Sequence, residues 1–290
     1  MATAKKAKTE STVVPKPKEA GVYIDPRTDF GFKRLFGDKE VMIGFLNSVL
    51  DVEIRKLEYG NTVKTGLSKD EKEIIFDLYC TTVKGVQILV EMQIMPHEFY
   101  RERIVYYASR LIQEQGVHGW DYELKMVYSI NIIDFKLDKN KKTDKYLSNI
   151  QLLDIDTHYL FYDKLKIIIL ELPRFKKDEK DLVTKVEQWM YAIRDLAKLD
   201  KQPKSLKDKH FTKLFELAQI AKMTSREQNI YYKSLQDMSL VKIQFGKMEK
   251  TIADLQKENA ELRRILELRG TTAPKTARNT KVTRIAREIV

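Results

Sequence analysis

An α/β domain, followed by helices and a C-terminal coiled coil, is the architecture that the sequence predicts. Three observations predict it. Two short runs of β-branched, aromatic and aliphatic residues, Ile74 to Cys80 and Ile88 to Ile94, are separated by a Gly-containing turn. Stretches with apolar residues at helical spacing lie on both sides of them. Near the C-terminus, apolar residues advance by alternating steps of three and four.

The first element in order is a tail. Residues 1–20 are rich in Lys, Ala, Thr and Pro, bury little, and are expected to be disordered. A helix is expected from Asp29, with Phe30, Phe32, Leu35 and Phe36 on its apolar side and Gly37 as its stop. A second spans 39–50. After the two strand-like runs, a helix over 97–115 has Pro96 at its start, where a missing N–H costs little. Strands are expected over 126–135, 151–155 and 166–171, and helices over 178–199 and 205–223. Residues 270–290 form a second basic tail, so the expected division is 1–20, 21–222, 223–269 and 270–290.

In the last helix, Met238, Val241, Phe245, Met248, Ile252, Leu255, Asn259, Leu262 and Leu266 form an a/d series. Asn259 falls on an a position, where a buried amide costs stability but favours a two-stranded parallel register. Glu258 and Arg263 have the g-to-e spacing of an interchain ion pair. A parallel homodimer is therefore expected, the alternative being one helix docked on its own domain.

The formal charge is +11, from 53 Lys and Arg against 42 Asp and Glu, which favours a polyanionic partner, nucleic acid first. Cys80 is the single cysteine. That excludes an internal disulfide and fits a reducing, cytoplasmic compartment; its strand position makes it a core residue. No apolar run approaches the ~18 residues of a membrane span, and the basic N-terminus lacks the apolar segment of a secretory signal. The four histidines are scattered, so zinc is not indicated. No P-loop motif is present.

The chemistry lies in the two strand-like runs. Each carries one acid, Asp77 or Glu91, in surroundings where an unpaired charge is costly. A two-residue turn at Lys84-Gly85 would put the acids on opposite faces. A three-residue loop, Val83-Lys84-Gly85, pairs Thr82 with Val86 and sets Asp77 opposite Glu91, with Gln93 on the same face and Gly85 in the left-handed position. The second register is the one expected. Facing carboxylates repel unless a cation lies between them, and Mg²⁺ suits such a donor set. Taken singly, Asp77 also reads as an edge-strand solubility device, and Glu91 as the ion-pair partner of Arg101 or Arg103.

The stretches Asp25-Pro26-Arg27-Thr28-Asp29-Phe30-Gly31-Phe32-Lys33-Arg34-Leu35-Phe36-Gly37, Phe45 to Leu50, Phe76-Asp77, Glu91-Met92-Gln93 and Phe99 to Tyr106 resemble the PD-(D/E)XK nuclease family transposases. The resemblance covers about residues 23–135 and continues more loosely to 240. It implies a restriction-endonuclease-like mixed sheet flanked by helices, and cleavage of DNA with Mg²⁺. It implies Asp77 and Glu91 as metal ligands, with the Met92 carbonyl beside them, and Asp29 as a further acid, with Glu40 second to it. Phe76 stands where the superfamily has Pro, and Gln93 where it usually has Lys. An amide supplies no positive charge to a developing anion, so a cation is expected from elsewhere, with Arg101, Arg103 and Lys125 as candidates. The function expected is Mg²⁺-dependent DNA endonuclease of a mobile element or recombination system. The rival is an inactive nuclease fold serving as a dimeric DNA-binding scaffold.

Overall fold

The computed structural model describes residues 21–64, 73–116, 119, 121–138 and 143–268. The expected tails, His118 and Trp120 lie outside them. The chain divides into a compact unit ending at Met238 and a second unit from Ser239.

The first unit opens with a loop that explains most of the Asp25–Gly37 motif. Thr28 caps helix α1 (Asp29–Phe36), its hydroxyl accepting from the Gly31 N–H and donating to the Asp25 carbonyl. A Cβ on Gly31 would lie 2.1 Å from that carbonyl oxygen, so only glycine lets the helix approach its own cap. The Arg27 guanidinium clasps the Asp25 carboxylate through Nε and Nη2 and reaches Asp134 through Nη1. The Asp25 N–H donates to the buried Tyr231 hydroxyl. Helix α2 (Lys39–Val49) follows, capped by Asp38.

Strands β1 (Leu57–Tyr59), β2 (Val63–Lys64), β3 (Ile74–Ile75), β4 (Leu78–Thr82) and β5 (Gln87–Gln93) precede helix α3 (Tyr100–Gln113). Then come β6 (Val127–Ile133), β7 (Leu147–Leu153), β8 (Leu160–Glu171), α4 (Lys185–Asp195), α5 (Lys209–Ala218) and α6 (Ser225–Leu268). Six strands form one sheet in the order β1-β4-β5-β6-β8-β7. The β5/β6 and β6/β8 pairs are parallel and the others antiparallel. The mixed α/β architecture with flanking helices is as expected.

Two expectations need correction. Ile74 to Cys80 is not one strand. The Phe76 N–H donates to the Thr62 carbonyl, and β3 pairs with β2 in a separate two-stranded sheet. At Asp77, bonds between side chain and backbone replace the ladder, so β4 starts only at Leu78. The strand expected at 151–155 runs instead over Leu147–Leu153, because its pairing with β8 continues toward Leu170.

Alternation along the strands divides the core. Ile88, Val90, Tyr128, Ile130, Ile132, Ile168 and Leu170 pack with α1, α2, α4 and α5. The aromatic centre of that layer is Phe36, Phe45, Trp189 and Phe211, with Trp189 and Phe211 rings 4.5 Å apart. Each large side chain buried here contributes about 1.5–3 kcal/mol. On the opposite face, Leu89, Val127, Ile133 and Ile169 meet Leu111, Tyr100 and Ile104 of α3. Position 91 falls on this second face, under α3. Cys80 is buried in the first layer as expected, and burial pushes its thiol up to about 12.

The second unit continues α6. Of its a/d residues, Val241 and Leu262 are 42% and 52% exposed. The Asn259 amide donates to the Leu255 carbonyl of its own helix.

Candidate active site

The β4–β5 hairpin has the three-residue loop. The Thr82 N–H donates to the Val86 carbonyl, the Gly85 N–H to the Thr82 carbonyl, and Gly85 has φ of +78°. Leu78 faces Val90 and Thr81 faces Gln87; the same register, carried one residue on, sets Asp77 opposite Glu91.

Each acid is tied to the other's strand. The Asp77 N–H donates to Glu91 Oε1 at 3.0 Å, and the Met92 N–H donates to Asp77 Oδ2 at 2.8 Å. A residue's N–H and C=O point to the same edge of a strand, so the Met92 carbonyl faces the Asp77 side. Glu91 is 4% exposed. Burial first, and the facing Asp77 second, push its carboxyl up to about 8. Burial also raises the Asp77 carboxyl, opposed by the Met92 N–H and then by the Lys33 charge.

Helix α3 adds a cation. Arg103 Nη2 donates to Glu91 Oε2 at 3.2 Å and Nη1 to Gln93 Oε1 at 3.3 Å. Its guanidinium carbon lies 4.9 Å from the Tyr107 ring centroid. Gln93 Nε2 donates to the Met95 carbonyl at 3.2 Å, which turns the amide oxygen toward Arg103. One turn back on α3, the buried Tyr100 hydroxyl has no hydrogen-bond partner among the described residues. Burial first, then the Glu91 charge, raises it. A buried hydroxyl on which the charges of both acids act calls for a polar partner.

The expected residues are thus only partly gathered. Asp77, Glu91, Gln93 and the Met92 backbone come together. Asp29 lies on the first turn of α1, exposed and paired with Lys33 at 2.7 Å. Its charge is felt at Asp77, but no hydrogen bond or ion pair joins them among the described residues. Glu40 lies in the first turn of α2, where its carbonyl faces His210 Nδ1. Of the three candidate cations, Arg103 reaches Glu91, and its charge also acts on Asp77. Arg101 is exposed, and Lys125 pairs with Glu123 beside Gly85, at the far end of the hairpin. Sequence reasoning does not single out Tyr100, and it reads Tyr107, together with Tyr106, as a helix residue that packs or stacks on bases rather than as a neighbour of the acids. Their steps of three and four from Arg103 on one helix were the available signal.

The donor set fits a hard divalent cation: two carboxylates and a carbonyl edge, all oxygen. Among the described residues no third His, Cys, Asp or Glu completes a cluster with them.

A mixed sheet whose hairpin presents two opposed acids, with a polar side chain two residues on, is the arrangement of the PD-(D/E)XK nucleases. The model of a family described as PD-(D/E)XK nuclease family transposase matches residues 26–241, and the chain belongs to that family. No curated protein and no solved structure matches it. Membership points to nuclease chemistry related to transposition, DNA as substrate and a divalent ion in general. No helix among the described residues is long and apolar enough to cross a membrane.

Proposed function

We propose that the protein is a Mg²⁺-dependent DNA endonuclease, cytoplasmic, associated with a mobile element or recombination, and acting as a homodimer through a parallel coiled coil of α6. The observation that carries the reading is the hairpin register, which sets Asp77 and Glu91 face to face under α3. Asp77, Glu91 and the Met92 carbonyl would hold the ion, with Asp29 contributing charge from α1. When bound, Mg²⁺ polarises the scissile phosphate and lowers the pKa of an attacking water.

The water oxygen adds to phosphorus and the bond to one bridging oxygen breaks. The water's proton ends on the leaving oxygen through solvent. Gln93 orients the polar groups of the site. The positive charge of the chain supports salt-dependent, largely sequence-independent affinity for DNA. The test is nicking of supercoiled plasmid with Mg²⁺. The intact chain should nick and Asp77→Ala should not; equal nicking by both would remove the assignment.

A second reading is favoured by one observation. Arg103 already neutralises Glu91, as expected of an ion-paired structural acid, and Gln93 brings no charge. An inactive dimeric DNA-binding scaffold would bind duplex yet turn over no form of DNA.

A further inference from the structure

Cleavage loads negative charge onto the phosphate oxygens, and position 93 holds a neutral amide. Among the described residues, Arg103 is the cation joined by hydrogen bond or ion pair to Asp77, Glu91 or Gln93. Lys33 is near enough to act on Asp77, but its ammonium pairs with Asp29.

We propose that Arg103 is a catalytic residue that grips the scissile phosphate, and that Gln93 is a positioning residue that aims it. The proposal rests on the nuclease reading above. An arginine needed only to neutralise a buried acid would be satisfied by Glu91. This one is also held by Gln93, whose amide is in turn fixed by the Met95 carbonyl, and it lies over Tyr107. Glu91, Gln93 and the Tyr107 ring all contact it, and its side chain is still 32% exposed. A guanidinium has five N–H donors in a fixed fork. Those not spent on Glu91, Gln93 and the Tyr107 hydroxyl suit phosphate oxygens.

The order of events follows from charge. Glu91 Oε2 cannot serve a divalent ion and Arg103 at full strength together. A divalent ion held by the acids would compete with Arg103 for Glu91 Oε2 and leave the guanidinium free for phosphate, with Gln93 keeping it in place. Arg103 keeps its proton throughout. It stabilises the charge that builds as the water–phosphorus bond forms and the bridging bond breaks.

The experiment uses the full chain, supercoiled plasmid and Mg²⁺, with Arg103→Met, Arg103→Lys and the double variant Arg103→Met with Gln93→Lys. Arg101→Met, two residues along the same helix, is the control and should keep the wild-type kcat. Arg103→Met should lower kcat by about 10²–10³-fold, with KM for DNA within about threefold. Arg103→Lys should recover part of the loss. The double variant should recover more than Arg103→Met alone, because a lysine on the strand returns a cation to the acids. Calorimetric Mg²⁺ affinity of Arg103→Met should be unchanged or tighter, since a competing cation has gone. Wild-type kcat in Arg103→Met overturns the proposal, as does a loss of activity that only tracks weakened Mg²⁺ binding or a lowered melting temperature. Failure of the wild type itself to cleave removes the nuclease reading and this proposal together. Cleavage by wild type and Arg103→Met alike removes this proposal only.

Discussion

Replacing Glu91 by Gln should make the protein more stable without divalent cation and unresponsive to Mg²⁺. In EDTA the Glu91 carboxyl sits at about 8 instead of 4.5, through burial first and the facing Asp77 second. The folded chain therefore holds a proton that the unfolded chain releases, and stability falls as pH rises from 4.5 through 8. At pH 7 the penalty is the gap between 4.5 and 7, about 3 kcal/mol at ~1.4 kcal/mol per pH unit. A Gln side chain carries no such penalty and still accepts from the Asp77 N–H. It loses the bond from Arg103, which is one-third exposed and can turn to solvent, a loss of about 1 kcal/mol. The net gain is about 2 kcal/mol, or about 4–8 °C for a unit of this size. Thermal melts in EDTA from pH 5 to 8 should show the wild type declining and Glu91→Gln nearly flat. With Mg²⁺ at about a hundred times its Kd, the wild type should gain about 2.7 kcal/mol and the variant almost none. A Glu91→Gln protein that melts below wild type in EDTA at pH 8 would refute the reasoning. Glu91 would then be an ionised acid satisfied by Arg103, not half of a cation-seeking pair.

Other expectations concern the parts that hold the site in place. Gly31→Ala sets a methyl 2.1 Å from the Asp25 carbonyl oxygen, so chemical denaturation should show a loss of about 2–4 kcal/mol; a loss under 1 kcal/mol would mean the loop yields freely. Burial alone would raise the Glu187 carboxyl, but Lys177, Tyr146 and the N–H groups of Val183 and Thr184 bring it down to about 2. That stability is present above 4.5 and lost as pH falls from 4.5 to 2. Allowing for screening at the half-exposed Lys177, it is worth about 1–2 kcal/mol, so a Glu187→Gln chain should show a shallower acid decline in stability than wild type over that window. In α6, Leu255→Glu should give a monomer by sedimentation, and Asn259→Leu should associate more tightly while admitting states beyond a two-stranded dimer; a wild-type chain that sediments as a monomer at micromolar concentration would contradict both.

Much of the site was legible because the hairpin is local. Gly85 fixes the loop, the loop fixes the register, and the register fixes which side chains face each other. The helices around Phe32, Phe45 and Trp189 were equally plain from their spacing. What was not legible depended on distant partners. β2 and β3 are two residues each and exist through each other, so no periodicity announces them. The break at Phe76 depends on the carbonyl of Thr62. The role of the Asp25–Gly31 motif was also hidden. Of the motif the resemblance gives only Asp29 a chemical role, while Asp25, Arg27, Thr28 and Gly31, which carry the resemblance without one, build the cap of α1 and tie it to Asp134 and Tyr231.

Asp134 links that cap to the end of β5 that carries Gln93. Its N–H donates to the Gln93 carbonyl at 2.9 Å, while its carboxylate holds Arg27. The end of β5 that carries Gln93 is therefore clamped by the loop that launches α1. Arg27→Ala leaves Asp25 and Asp134, 6% and 14% exposed in their side chains, without this cation. It should therefore lower stability first, by about 3 kcal/mol or more. If the clamp also positions the amide, Arg27→Ala should lower kcat at temperatures where circular dichroism shows the fold intact. Unchanged kcat in the folded variant would confine the motif to stability, and leave the orientation of Gln93 to the Met95 carbonyl alone.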